Sequence, residues 1–237
     1  MTRRRWIADE VTGNRGFLIG QHADHLTRVL RARIGQEFDV SAEGVVRRAR
    51  ISAISNQRVE FELGKEIPAG TTLRLTLALA IFKFDRMEWA IEKCTELGAT
   101  CIIPLIAHRT DTHLAAAAPK RRERWQRIVR EASEQSRRVA IPEISSPLAV
   151  KDVAARPGQT RILLAESEPQ FRLKDALDNH SDPGDLILAT GPEGGWTKEE
   201  EKLFQHAGWI SASLGSTVLR AETAAIAATA IVVAELQ

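Results

Sequence analysis

The stretch that most constrains this 237-residue chain runs from Leu186 to Ala224. It begins with a short apolar run, Leu186-Ile187-Leu188-Ala189-Thr190, of the kind that forms a buried strand. The run breaks at Gly191-Pro192-Glu193-Gly194-Gly195, and Trp196 follows. Thr197 with Glu200 three residues on is a capping-box pattern, so a helix is predicted to start there. Further on, a second glycine turn, Leu214-Gly215, leads through Leu219-Arg220-Ala221-Glu222-Thr223-Ala224 into a nearly all-apolar last helix. Two such loops at strand ends can close on one small ligand at the carboxyl edge of a sheet.

The chemistry of the first loop narrows that ligand. Three glycines in five residues let backbone approach closely. A phosphate is a poor fit, because neither Gly-x-x-x-x-Gly-Lys-Ser/Thr nor Gly-x-Gly-x-x-Gly occurs anywhere in the chain. Pro192 also removes an amide, and Glu193 sets a negative charge where phosphate oxygens would lie. A neutral or cationic adenosine-type ligand fits better, with backbone for the base edge and a carboxylate for hydroxyls or a positive centre. Taken alone, the loop reads equally well as a tight turn before a capped helix.

Upstream, Leu73, Leu75, Leu77, Leu79 and Ile81 alternate with smaller or polar residues, a strand pattern. Met87, Ala90, Ile91, Cys94 and Leu97 recur at helical spacing before Gly98. Cys101–Leu105 is another short apolar run, stopped at Pro104. Strand, helix and strand with tight junctions predict a βαβ unit and a parallel sheet. Ile162–Ala165 is a further strand candidate. The last helix, Ala221 to Leu236, is apolar all round and too short to cross a bilayer, so both faces are expected to be buried in protein, one against a second subunit.

Residues 1–72 read differently. Short strands at 16–20, 37–40, 45–54 and 58–63, with one helix from His22 to Leu30, predict a small β-barrel. Pro68-Ala69-Gly70 marks the boundary between domains at 1–72 and 73–237. Charge divides in a similar sense: residues 1–140 hold 25 Lys and Arg against 17 Asp and Glu, the remainder 8 against 14. A basic front half is the footprint of a polyanion partner. From Pro119 to Arg138 a helix is predicted, with Trp125, Ile128, Val129 and Ala132 inward. Its tail, Glu134-Gln135-Ser136-Arg137-Arg138, turns polar where the apolar stripe would continue, as sites and interfaces do. Cys94 and Cys101 form no CxxC and imply neither a disulfide framework nor a zinc site. With no long apolar span and no signal core, a cytoplasmic protein is expected.

The segments GPEGGWTKEE (191–200) and LGSTVLRAETAA (214–225) resemble the signature of the SPOUT methyltransferases. With HLTRVLRARIGQ (25–36), KFDRMEWAIEKCTELG (83–98), PLIAHRT (104–110) and RWQRIVREASEQSRRVAIPEI (124–144), the chain resembles, in order and nearly throughout, the bacterial family that methylates N3 of a uridine in 16S ribosomal RNA. The resemblance implies an α/β fold with an N-terminal PUA-like, RNA-binding barrel and a C-terminal SPOUT domain whose parallel sheet is threaded into a deep trefoil knot. It implies S-adenosylmethionine as cofactor, held by Leu164, Ala165 and Glu166; by Thr190, Gly191, Pro192, Glu193, Gly194 and Gly195; and by Leu214, Gly215, Leu219, Arg220, Glu222, Thr223 and Ala224. It also implies a homodimer, 16S ribosomal RNA within the small subunit as partner, and RNA contacts at Arg3, Arg4, Arg28 and Arg31.

Uridine N3 carries a proton at neutral pH, so that proton must leave and the developing anion needs a cation or donor. Arg138, Arg109 and Arg220 are candidates for that role and Glu134 for the base. The chain departs from the family pattern at Ser216-Thr217, where relatives commonly have Pro-Arg, and at Arg137, where they often have Gly. Methylation of another RNA or of a ribose 2′-hydroxyl, or a non-catalytic RNA-binding role in ribosome assembly, are the alternative readings.

Overall fold

The computed structural model describes residues 5–67, 73–168, 170–178 and 184–236. Arg3, Arg4 and the Pro68-Ala69-Gly70 boundary lie outside the described residues. The chain forms two compact units, residues 1–71 with 133–141, and residues 72–132 with 142–237. The segment 133–141, which follows residue 72 in the sequence, thus groups with the first unit.

The first unit is built on a six-stranded sheet. Its strands are β1 (Arg5–Ile7), β2 (Glu10–Thr12), β3 (Arg15–Ile19), β4 (Glu37–Ala42), β5 (Val45–Ser55) and β6 (Arg58–Ile67), in the order β1-β4-β5-β6-β3-β2. Among the described residues of this sheet, only the β1–β4 pair is parallel. Trp6, Leu18, Leu26, Phe38, Val40, Ile51, Val59 and Phe61 make the core under it. The predicted helix at 22–30 is present as α1 (Gln21–Asp24) continued by a π-helical turn, His25–Val29. Residues 137–139 are stitched to this sheet: Arg5 donates to the Arg137 carbonyl and Ser41 to that of Val139.

The second unit holds a parallel sheet. Its strands are β7 (Arg74–Ala80), β8 (Cys101–Ile106), β9 (Glu143–Ile144), β10 (Leu148–Ala149), β11 (Thr160–Leu164), β12 (Asp185–Thr190) and β13 (Ile210–Ala212), in the order β10-β8-β7-β12-β11-β13 with β9 also on β8. Its helices are α2 (Phe84–Leu97), α3 (Thr112–Gln135), α4 (Val150–Ala154), α5 (Leu173–Asp178), α6 (Lys198–His206) and α7 (Ala221–Leu236). Residues of both faces of β7 are buried, Ala78 and Ala80 as fully as Leu77 and Leu79. Parallel sheets are covered on both sides, and small residues serve where a helix packs close.

Two sequence expectations are corrected here. Pro104 does not stop β8, which continues to Ile106. On that edge β9 pairs Cys101 and Ile102 while β10 pairs Leu105 and Ile106, so the missing proline N–H falls between them. The helix expected from Pro119 to Arg138 instead runs from Thr112 to Gln135 with Pro119 inside it. Asp111 starts it early by accepting from the amides of His113 (2.8 Å) and Leu114 (3.2 Å). Arg137, at φ 59°, ends it in the left-handed conformation, and the Arg138 amide reaches back to the Ser133 carbonyl at 2.9 Å. That six-to-one bond defines a Schellman motif, whose left-handed position usually belongs to glycine.

Helix α7 packs on α2 and α5 through Ala221, Ala225, Ala228, Thr229 and Val232. Its other side, including Ile226 and Ile231, is only partly covered. Among the described residues no helix is long and apolar enough to cross a membrane.

Candidate cofactor site

Every strand of the parallel sheet ends toward the same edge, so the loops after β8, β11, β12 and β13 share it. The chain reverses around β11, placing β12 on one side of it and β13 on the other. Ligands of open α/β sheets bind at such an edge. The cofactor-loop residues expected from the sequence fall at these strand ends: Leu164 ends β11 and Ala165 and Glu166 follow it; Thr190 ends β12 and Gly191 to Gly195 follow it; Leu214, Gly215, Leu219 and Arg220 lie between β13 and α7, and Glu222, Thr223 and Ala224 are in the first turn of α7.

The glycine loop is fixed from three sides. Trp196 is buried and donates its indole N–H to the Leu164 carbonyl at 2.8 Å, tying the loop to β11. A Cβ on Gly191 would lie 3.1 Å from that indole nitrogen, so any side chain there would press on the buried ring. Arg109, in the turn after β8, donates to the Gly194 carbonyl, and its side chain lies along Gly194 and Gly195. Gly195 itself is at φ 68° and its amide closes a turn onto the Pro192 carbonyl at 2.9 Å.

Just past the loop, the capping box is complete: Glu200 N–H donates to Thr197 Oγ1 at 3.2 Å and Thr197 N–H to Glu200 Oε2 at 2.9 Å. The other oxygen of Glu200 accepts from the His108 amide at 2.7 Å. One buried carboxylate therefore fastens the start of α6 to the turn that carries Arg109, a link the capping pattern gives no hint of.

Arg220 is exposed just before α7, and its carbonyl accepts from the Ala224 amide at 2.8 Å. Glu222, in the first turn of α7, is buried. Its Oε2 and the Oγ1 of Thr190 have no hydrogen-bond partner among the described residues. The sequence reading missed Arg86, whose Nη1 lies 3.4 Å from Glu193 and 3.8 Å from Glu222. A cation in the first turn of a helix, opposite the helix-dipole preference, was the available signal.

The remaining expected residues lie in the first unit. Glu134 and Arg138 belong to the segment 133–141, and burial lowers the Arg138 pKa to about 10. Arg28 and Arg31 are exposed at the end of the helical segment, Arg28 paired with Asp24 at 3.4 Å and Arg31 at φ 52°. No group of His, Cys, Asp and Glu among the described residues is arranged to hold a metal.

Comparison with known proteins gives the class: residues 70–233 match the family described as RNA methyltransferase domain. The ribosomal RNA small subunit methyltransferase E of Synechocystis is 37% identical over 219 residues, 90% of this chain and 71% of that protein. The chain belongs to the ribosomal RNA small subunit methyltransferase E family. Its fold matches the Neisseria gonorrhoeae member bound to S-adenosylmethionine at TM-score 0.83, with 30% identity, 97% of this chain and 96% of that one covered. A putative methyltransferase of Legionella pneumophila, in complex with the same cofactor, matches at TM-score 0.83 and 29% identity over 99% and 98% of the two chains.

The residues present fit such a ligand. The glycine loop offers backbone at close range, and Thr190 and Glu222 offer buried polar atoms that lack partners among the described residues.

Proposed function

We propose that this chain is an S-adenosylmethionine-dependent methyltransferase that methylates N3 of a specific uridine in 16S ribosomal RNA. The observation carrying this reading is the pair of loops at the carboxyl edge of the parallel sheet, in a chain of this family, with buried polar atoms at Thr190 and Glu222 that have no partner among the described residues. The cofactor supplies an electrophilic methyl group, so the protein's work is binding, orientation and electrostatics. Leu164–Glu166, Thr190–Gly195 and Leu214–Ala224 are the cofactor-holding loops.

Loss of the uridine N3 proton leaves an anion shared between the ring nitrogen and its two flanking carbonyl oxygens. Guanidinium groups aimed at those oxygens lower the cost of deprotonation as well as of methyl transfer. Arg109 and Arg220 stand at the cofactor loops for this role, and Arg138 is the corresponding residue of the first unit. Its partial desolvation makes its charge count for more than that of an exposed arginine. Glu134 is assigned as the proton acceptor.

The same reading takes residues 1–72 as a PUA-like barrel that engages RNA through Arg3, Arg4, Arg28 and Arg31, and 73–237 as the methyltransferase domain. The predominantly antiparallel sheet and exposed arginines support the first assignment. For the second, the placement of β12 between β11 and β7, with β13 beyond β11, is consistent with a chain threaded as a trefoil knot. The partly covered apolar side of α7 supports a homodimer. A substrate within the small ribosomal subunit places the activity in the cytoplasm.

One experiment tests the assignment. The protein is incubated with methyl-labelled S-adenosylmethionine and either 16S RNA or small subunits, and the digested nucleosides are identified. Labelled 3-methyluridine is the expected product. A 2′-O-methylated nucleoside would move the chemistry to ribose, and absence of label in every RNA would leave a binding protein.

A further inference from the structure

Arg86 joins three elements: its own helix α2, the loop after β12 through Glu193, and the first turn of α7 through Glu222. The two carboxylates it meets differ in surroundings. Glu193 is exposed and can complete its hydrogen bonding with water, whereas Glu222 is 5% exposed. Glu222 Oε1 faces Arg86, and Oε2 has no partner among the described residues. Other carboxylates near this edge are spent or solvated. Both oxygens of Glu200 accept backbone amides, and Glu166 is exposed.

A buried carboxylate oxygen without a donor costs free energy in the ligand-free protein. Such a cost is tolerated at functional sites, where a ligand supplies the missing partner. The type of donor follows from the neighbour. Arg86 already holds a full positive charge 3.8 Å from Oε1, so a second cation on Oε2 would face it across a single carboxylate. A neutral hydroxyl meets no such repulsion, and an acidic side chain is a common receiver of ribose hydroxyls at the edge of α/β sheets.

We infer that Glu222 Oε2 accepts a hydrogen bond from a ribose hydroxyl of the adenosine moiety of the methyl donor, and that Arg86 is the positioning residue that orients the Glu222 carboxylate and ties it to the glycine loop. This rests on the function proposed above, because the hydroxyl belongs to that cofactor. Arg86 acts through Glu222 and has no contact with the ligand in this scheme.

Calorimetry on the full chain tests it with four ligands: S-adenosylhomocysteine, methylthioadenosine, and 2′-deoxy and 3′-deoxy methylthioadenosine. In the parental protein, loss of one of the two hydroxyls is expected to weaken binding about tenfold or more, as for a hydrogen bond to a charged acceptor. In Glu222→Ala the same change is expected to cost less than about twofold. Arg86→Ala is expected to weaken methylthioadenosine and to shrink the deoxy penalty, with Arg86→Lys restoring part of both. The melting temperature of ligand-free Glu222→Ala is expected to be no lower than parental, since the variant removes a buried carboxylate oxygen that has no donor among the described residues, and Arg86 keeps its pairing with Glu193. A lower melting temperature with an unchanged deoxy penalty makes Glu222 structural and overturns the inference. Weakened S-adenosylhomocysteine with unaffected methylthioadenosine assigns Oε2 to the α-ammonium and overturns it as well. Parental binding indifferent to both hydroxyls overturns this inference alone. Failure of the parental protein to bind any of the four overturns the methyltransferase reading and this inference together.

Discussion

The indole N–H of Trp196 donates to the carbonyl of Leu164, 32 residues earlier in the chain, at 2.8 Å. Through this one bond the glycine loop after β12 is registered against the end of β11, its neighbour in the sheet. Trp196→Phe keeps most of the packing against Phe204 and removes the donor. The Leu164 carbonyl is then left buried without this partner, and a loss of about 1–3 kcal/mol is expected. Urea unfolding at equilibrium measures it; an unchanged midpoint would show that the bond contributes nothing.

Arg137 holds the left-handed position of a Schellman motif at φ 59°. An L-residue with a Cβ is disfavoured there by roughly 1–2 kcal/mol, and glycine is not. The bond from the Arg5 guanidinium to the Arg137 backbone carbonyl survives substitution, because its acceptor is main chain. Arg137→Gly is therefore expected to raise stability by about 0.5–1 kcal/mol, less than the full penalty because glycine gains freedom in the unfolded chain. A destabilised variant would mean that the arginine side chain contributes more than its backbone strain costs.

Burial pushes the Cys94 thiol up to about 12, against a partial offset from the Thr229 hydroxyl that donates to its sulfur at 3.4 Å. The folded state holds this proton more tightly than the unfolded chain does. The associated stability is complete below the unfolded thiol value, near ~8.5, and is lost as pH climbs from there toward about 12. Native protein at pH 8 should leave Cys94 unmodified by a thiol reagent, with labelling appearing only on unfolding. Mass spectrometry of the peptide carrying Cys94 reads the result, and fast native labelling would contradict the packing of α2 on α7.

Charge removal at the end of the first helical segment tests the RNA-binding role. Arg28→Gln with Arg31→Asn keeps the backbone, since Asn tolerates the φ of 52° at position 31. If each arginine neutralises one phosphate, the slope of log affinity against log salt falls by about 0.7–0.9 per residue. S-adenosylhomocysteine affinity should stay parental. An unchanged slope in filter-binding assays would move the RNA face elsewhere, with the basic run from Lys120 to Arg130 as the next place to look.

Helix α7 supplies a test of assembly. Light scattering is expected to give twice the 26.2 kDa chain mass. Ile226→Asp places a charge on the partly covered side and should lower that mass. Val233 is a poorer probe, because its Cγ2 would lie 3.3 Å from a Cβ on Gly98 and so belongs to packing within the chain. A parental monomer at micromolar concentration would refute the dimer.

What the sequence made legible was local. The turn-and-cap pattern from Gly191 to Glu200 uses glycine conformations and a three-residue spacing, both of which can be read without tertiary contacts. Helix α7 was likewise plain, because apolar residues on every face leave few alternatives. Pro104 was misleading for a non-local reason: a proline is excluded from a strand only if its edge is paired at that residue. The early start of α3 has a local signal in Asp111, a residue type that caps helices, whereas Pro119 reads as a helix start and lies inside the helix instead. Pairings such as Arg86 with Glu222 or Glu200 with His108 join residues far apart in the chain. No periodicity carries them, which is why Arg86 and these pairings escaped the sequence although Glu193 and Glu222 did not.

The stitching of residues 137–139 to β1 and β4 bears on how the molecule is made. The first unit is discontinuous, so its last piece is synthesised only after β7, α2, β8 and most of α3. At roughly 5–20 residues per second, the first sheet waits several seconds on the ribosome for the strap that completes it. During that interval Arg5 and Ser41 lack the carbonyls they bind in the finished protein. Truncation after residue 72 reproduces this interrupted state permanently, whereas a fragment ending past residue 141 carries every segment of the first unit.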